Sequence, residues 1–182
     1  DSFLVMHRIP KGGVEVINVE SKAIVDTLTG GEVDAVSTWN PYICLLREVL
    51  GDNGVIFTGE EIYTETFNIV AKQDFVNNNP EAIKKVLLAL LKAYKFVEEN
   101  PDEAEEIVAG KIAMDLAVFN EIWHFYDFRV TLEQSLLVTL EAEARWAIKN
   151  GLTDATEVPN YLHYIYIDAL EAVKPEAISI IR

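Results

Sequence analysis

The stretch GGEVDAVSTWNPYI, residues 30–43, decides how this chain is read. Its glycine pair ends whatever helix precedes it, because the left-handed position after a helix costs glycine least. DAVSTW (34–39) then reads as a short strand. It runs straight into Trp39-Asn40-Pro41-Tyr42, where Asn40 is placed to cap a helix and Pro41 to open it. An indole and an amide at a strand tip suit the mouth of a ligand site. In open α/β sheets ligands collect beyond the carboxyl ends of the strands, beside the free N–H groups and positive dipole end of the next helix. Ser37, Thr38 and Asn40 supply short polar groups there, Trp39 a flat apolar wall with one N–H, and Tyr42 a side chain in the first helical turn. These five residues are the candidate ligand contacts for a small anion or a polar organic molecule. The same spacing is met if Trp39 packs in the core and Asn40 only caps, and both readings stay open at this point.

Outward from that stretch, strand and helix patterns alternate. SFLVMHRI (2–9) is expected to be the end of a helix, stopped by Pro10 and Gly12-Gly13. VEVINV (14–19) alternates β-branched residues as a strand does. Ser21 is placed to cap a short helix, KAIVDTL, and PYICLLREVLG forms the helix that follows Asn40. VIFTG (55–59) and ETFNIVAK (65–72) are the third and fourth expected strands. This rhythm predicts an α/β unit with largely parallel pairing. After residue 73 the pattern becomes helical. Ile83, Val86, Leu87, Leu90, Leu91, Tyr94 and Val97 recur at helical spacing behind Asn79-Pro80, and Asn100-Pro101 separates that helix from the next. LEQSLLVTLEAEARWAIKNG (132–151) is a long helix closed by Gly151, and the tail adds a short helix and an extended apolar end.

Composition narrows the function. Half of the 182 residues are apolar, enough for a sizeable core in one or two domains. With 15 basic and 30 acidic residues the formal charge is −15, the wrong sign for a nucleic-acid surface. The single cysteine, Cys44, rules out a disulfide within the chain, and beside Leu45 and Leu46 in an expected helix it reads as a small buried apolar residue. No run approaches the ~20 apolar residues of a membrane span. The opening DSFLVMHRI, without an initiator Met and inside an apolar helical pattern, reads as part of a longer product.

Enzyme signatures are missing. None of the three histidines, His7, His124 and His163, stands four residues from another His or from Cys, so no zinc-type pair forms and no metal is expected. His124, within EIWHFYDF, reads as a hydrogen-bonded packing histidine. The glycine pairs match neither a dinucleotide nor a phosphate loop, and no GxSxG elbow occurs. EENPDEAEE (98–106) reads as a solvated helix surface. No catalytic residue, metal ligand or cofactor is assigned, and the balance tilts toward binding.

Several of these stretches together carry a family resemblance. GGEVDAVSTWNPYI, the VEVINVESKAIVDTLTGGEVDA that overlaps it, QDFVNNNPEAIKKVLLALLKAYKFVEENPDEA and PNYLHYIYIDALEAVKPEAISII resemble the periplasmic solute-binding proteins of ABC importers, type 2 fold. The NMT1-like or SsuA/TauA-like group, associated with uptake of sulfonates, taurine, nitrate and thiamine precursors, is the most similar. The resemblance implies a three-layer α/β lobe over residues 1–60, then a returning crossover and a mainly helical portion of the other lobe over 61–182, with the N-terminal part of the family fold absent. It implies a small-molecule ligand in an interlobe cleft, a membrane ABC permease as partner, a periplasmic or other extracytoplasmic bacterial location, and no chemistry. The crossover adds Tyr63 and Thr64 to the candidate contacts. Many relatives carry Glu where Asn40 stands, so the neutral amide here leaves room for an anion. If the chain is truncated, a homodimer or an exchange of elements is expected to cover exposed apolar surface. The alternatives are a ligand-sensing domain of a signalling receptor and an enzyme making a pyrimidine precursor, as some NMT1-like relatives do. The enzyme would need His and Cys features that are not found here.

Overall fold

The computed structural model describes residues 2–57, 59 and 64–182. Its architecture overturns the expected α/β lobe. Among the described residues there is no named strand and no sheet, only one isolated parallel bridge between Leu132 and Ile178. The elements are helices: α1 (Ser2–Met6), α2 (Ile24–Thr29), α3 (Tyr42–Leu50), α4 (Gln73–Asn78), α5 (Pro80–Glu99), α6 (Pro101–Ile112), α7 (Leu116–Trp123), α8 (Gln134–Lys149) and α9 (Asp168–Val173), with short 3₁₀ turns between some of them.

The four expected strands fail for one physical reason. β-branched residues bias their own φ and ψ toward extended values, but a strand exists only when its N–H and C=O groups pair with a neighbour. The local half of that requirement is met: Val14 sits at φ −133°, ψ 140°, and Gly54 and Lys72 are extended too. The non-local half is not met. The described parts of 14–19, 34–39, 55–59 and 65–72 carry no ladder, and most of their apolar side chains face solvent, Val16 at 84% and Val70 at 88% exposure.

Helices close their own hydrogen bonds, and those expected from the sequence are present. Pro80 opens α5 and Pro101 opens α6. Asn79 stands at the N-cap position of α5, yet its amide donates to the Phe75 carbonyl instead of capping. Gly31 (φ 73°) and Gly151 (φ 67°) follow α2 and α8 in the left-handed conformation, and the N–H groups of Glu32 and Leu152 reach back to Thr27 and Ala147. α6 ends the same way without glycine. Ala113 takes φ 55°, and the Met114 N–H bonds the Ala109 carbonyl at 3.0 Å. Asp115 caps α7, its carboxylate accepting from the N–H groups of Ala117 (2.9 Å) and Val118 (3.4 Å).

The chain divides into two compact units. The first comprises residues 1–65 and 108–126. There Cys44 of α3, Ala109 at the end of α6, and Phe119 and Ile122 of α7 form one buried cluster, flanked by Val108, Met114, Val118 and Trp123. α2 packs on α3, with Ile24 and Leu46 buried. The second unit comprises residues 66–107 and 127–182. Its core joins Leu137 of α8 to Ile167 and Ile180. The Leu132–Ile178 bridge is held by Leu132 N–H to Ala177 O (2.9 Å) and Ser179 N–H to Leu132 O (3.0 Å). Two side chains extend it reciprocally: Ser179 Oγ accepts from the Gln134 N–H and Gln134 Oε1 accepts from the Ile181 N–H. The apolar stripe of α5 is half-buried, except Val86, which is exposed; α5 packs against α9, whose Ala169 and Leu170 are buried.

Candidate functional site

Ser37, Thr38, Trp39, Asn40 and Tyr42 all lie in the first unit, on the segment that enters α3. Trp39 is 54% exposed. It is therefore not a core residue, and the packing alternative for the indole fails. Its ring meets Tyr42 edge to face, with centroids 5.8 Å apart and planes at 89°, the geometry that aromatic quadrupoles favour. Ser37 is exposed and Thr38 half-buried. The Thr38 Oγ1 is sealed from solvent and finds no hydrogen-bond partner among the described residues. A buried hydroxyl left in that state costs about 1–3 kcal/mol.

The expected cap is absent. The α3 helix begins at Tyr42, Pro41 occupies the N-cap position, and no side chain caps the first turn. The Asn40 side chain instead turns along the helix, where its Oδ1 accepts a weak hydrogen bond from the Cys44 thiol at 3.5 Å. The first-turn bonds are made by backbone alone: Leu45 N–H to Pro41 O at 3.1 Å and Ile43 N–H to Trp39 O at 3.4 Å. Cys44 is buried, as its apolar context predicted, and also accepts from the Arg47 guanidinium at 3.8 Å. Arg47 in turn pairs with Glu121 of α7 at 2.8 Å. A polar chain Asn40–Cys44–Arg47–Glu121 thus ties the aromatic pair's segment to the buried cluster beneath it. Sequence reasoning missed this chain, because Glu121 lies 74 residues from Arg47.

Tyr63 lies outside the described residues. Thr64 is exposed, and no hydrogen bond joins it to the Trp39 group. His124 is exposed and its ring packs on Phe125, with centroids 4.1 Å apart and planes inclined at 37°. Among the described residues no three His, Cys, Asp or Glu side chains gather as a metal site. No helix of the described chain is long and apolar enough to cross a membrane.

A concavity of about 340 Å³ lies within the second unit between α5, the 128–130 segment and Lys174. None of the candidate contacts lines it. Leu91 and Tyr94, which belong to the apolar stripe of α5, form part of its wall.

Comparison with known proteins shows the family. The NMT1/THI5-like family model matches residues 6–104, more than half of the chain and the whole of the Trp39 segment. The chain belongs to the NMT1/THI5-like family. Proteins of Brucella abortus, Brucella suis and Brucella melitensis, each described as a provisional binding protein, are 25% identical to it over 107 residues. That overlap is 57% of this chain and 34% of each relative, so the matched part spans about a third of the relatives' length. No solved structure matches the chain significantly.

Proposed function

We propose that the chain belongs to a solute-binding protein that takes up a small organic ligand without chemical change and serves an ABC importer outside the cytoplasm. The family match over residues 6–104 carries this reading, and the description of the Brucella relatives as binding proteins supports it. The ligand contacts are Trp39 and Tyr42, which offer an open edge-to-face aromatic surface, with Ser37, Thr38 and Asn40 beside them and Tyr63 and Thr64 as further contacts.

The residues divide the work by chemistry. Stacking on the exposed indole supplies contact area for an apolar or planar part of the ligand. The unpartnered Thr38 hydroxyl gains a hydrogen bond when a polar ligand group reaches it, which recovers part of its desolvation cost. The first turn of α3 has no side-chain cap, so its N–H groups and dipole favour an anionic group there. Arg47 is already engaged by Glu121 and does not compete for that charge. Oxyanions such as sulfonates and carboxylates on an organic body fit this set.

The test is a thermal-shift and tryptophan-fluorescence screen against taurine, alkylsulfonates, nitrate, aromatic acids and pyrimidines. It should be run on this chain. A hit that raises the melting temperature is expected to lose most of its effect in Trp39→Ala and part of it in Thr38→Val. A hit indifferent to both substitutions overturns the assignment of the contacts. Conversion of any of these compounds to a product overturns the reading as a binding protein.

A further inference from the structure

The cavity of the second unit is built from one face of α5. Leu91, Tyr94, Lys95 and Glu98 stand at i, i+3, i+4 and i+7 and therefore share that face. The segment Phe128–Val130 lies along it, with the Tyr94 and Phe128 rings 6.2 Å apart and inclined at 51°. Lys174 closes the cavity from the end of α9. Its backbone is held there by a 2.7 Å hydrogen bond to the Leu170 carbonyl. At about 340 Å³ the space falls in the range of small-molecule sites.

The lining has an apolar part and a charged part. Leu91, Tyr94, Phe128 and Val130 are each half-buried and present apolar surface. Five charged side chains accompany them, and three are already engaged. Lys95 pairs with Glu99 at 3.5 Å. Arg129 is held between Asp127 at 2.6 Å and Glu133 at 3.0 Å. That leaves one cation and one anion, Lys174 and Glu98, which enter no ion pair among the described residues. One free charge of each sign over an aromatic wall is the complement of a zwitterion with an apolar body.

We propose that this cavity binds a small zwitterion bearing an aromatic or branched apolar group, as a free amino acid does. The carboxylate goes to Lys174, the ammonium to Glu98, and the apolar body to Tyr94 and Phe128. The site is separate from the Trp39 segment, which lies in the first unit. The two assignments therefore stand or fall independently.

Three ligands of nearly the same shape test it on the unaltered chain: phenylalanine, 3-phenylpropionate, which lacks the ammonium, and phenethylamine, which lacks the carboxylate. Binding is followed by NMR titration with aromatic and lysine side-chain labels. Phenylalanine is expected to shift the signals of Tyr94, Phe128 and Lys174 and to bind about tenfold more tightly than either analogue, the size of one charge-assisted hydrogen bond. Lys174→Met is expected to erase the advantage over phenethylamine, and Glu98→Gln the advantage over 3-phenylpropionate, each without change at Trp39. Equal binding of all three ligands, shifts confined to other residues, or no shift up to the solubility limit overturns the proposal. Because the three-ligand comparison needs no substitution, a variant that fails to fold leaves the test intact.

Discussion

The extended segments 14–19 and 66–72 and the helices α5 and α8 contain similar proportions of apolar residues, and they have opposite fates. Val16, Ile17, Phe67 and Val70 stand in solvent. Leu87, Leu90 and Leu91 of α5 are half-buried, and Leu137 of α8 is buried. The difference lies in where each element finds its hydrogen-bond partners. A helix satisfies its backbone within four residues and needs only a neighbour for one stripe. A strand needs a second strand for its backbone before its side chains can bury anything. Apolar content alone therefore does not make a core, and the two classes of segment should respond very differently to substitution.

The largest contrast is between a buried and an exposed apolar residue. Ile122 of α7 is 1% exposed, and Ile122→Ala is expected to cost about 2–5 kcal/mol in urea unfolding followed by circular dichroism. The pair Phe67→Ser and Val70→Ser should change stability by no more than about 0.5 kcal/mol each. The same pair should raise the monomer fraction in size-exclusion chromatography, since exposed apolar segments of this kind drive self-association. Equal destabilisation by both sets would break the comparison.

Two helix ends sharpen it at the next level. Gly151 (φ 67°) has open space where a Cβ would stand, so Gly151→Ala pays only the left-handed backbone cost, about 1–2 kcal/mol. Ala113 (φ 55°) already pays that cost at the end of α6. Ala113→Gly should therefore stabilise, by about 0.5–1 kcal/mol once the greater freedom of the unfolded glycine is subtracted. Thermal unfolding of the two variants should move in opposite directions. Loss of the α7 cap in Asp115→Ala is expected to cost about 1 kcal/mol.

The smallest expected effect is electrostatic. In the first turns of α5, Lys84 donates to Glu81 at 2.8 Å. That hydrogen bond and the charge of Lys84 hold the Glu81 carboxyl below its usual 4.5, and the same contacts hold Lys84 above its usual 10.5. For Glu81 the lowered folded value means its contribution is fully present above pH 4.5 and is lost as pH falls below 4.5 through the lower folded value. For Lys84 the raised folded value means its contribution is fully present below pH 10.5 and is lost as pH rises above 10.5 through the higher folded value. Glu81→Gln should flatten both edges of the stability–pH profile slightly and leave the neutral plateau nearly unchanged, because the pair is solvent-exposed.

The candidate site was legible in the sequence only as a stretch. The tip 37–42 could be singled out because an indole and an amide are unusual at the end of an apolar run, and Trp39 is exposed there. The spacing could not foretell that Asn40 would turn onto Cys44 rather than cap α3, or that Arg47 would find Glu121. The cavity in the second unit was illegible for the same reason. Leu91 and Tyr94 carry an ordinary core stripe, and only the packing of 128–130 and Lys174 around them makes a space.

By itself the sequence determined what is local. It set the helices opened by Pro80 and Pro101, the glycine stops at Gly31 and Gly151, the burial of Cys44, and the acidic charge that disfavours nucleic acid. Tertiary structure decided what depends on distant partners. It left the described parts of the β-patterned segments without a sheet, assembled one core from Cys44 with Phe119 and Ile122, and opened a cavity beside α5. Backbone dihedrals and helical hydrogen bonds are satisfied within a few residues, whereas ladders, cores and cavities need chain segments tens of residues apart to meet.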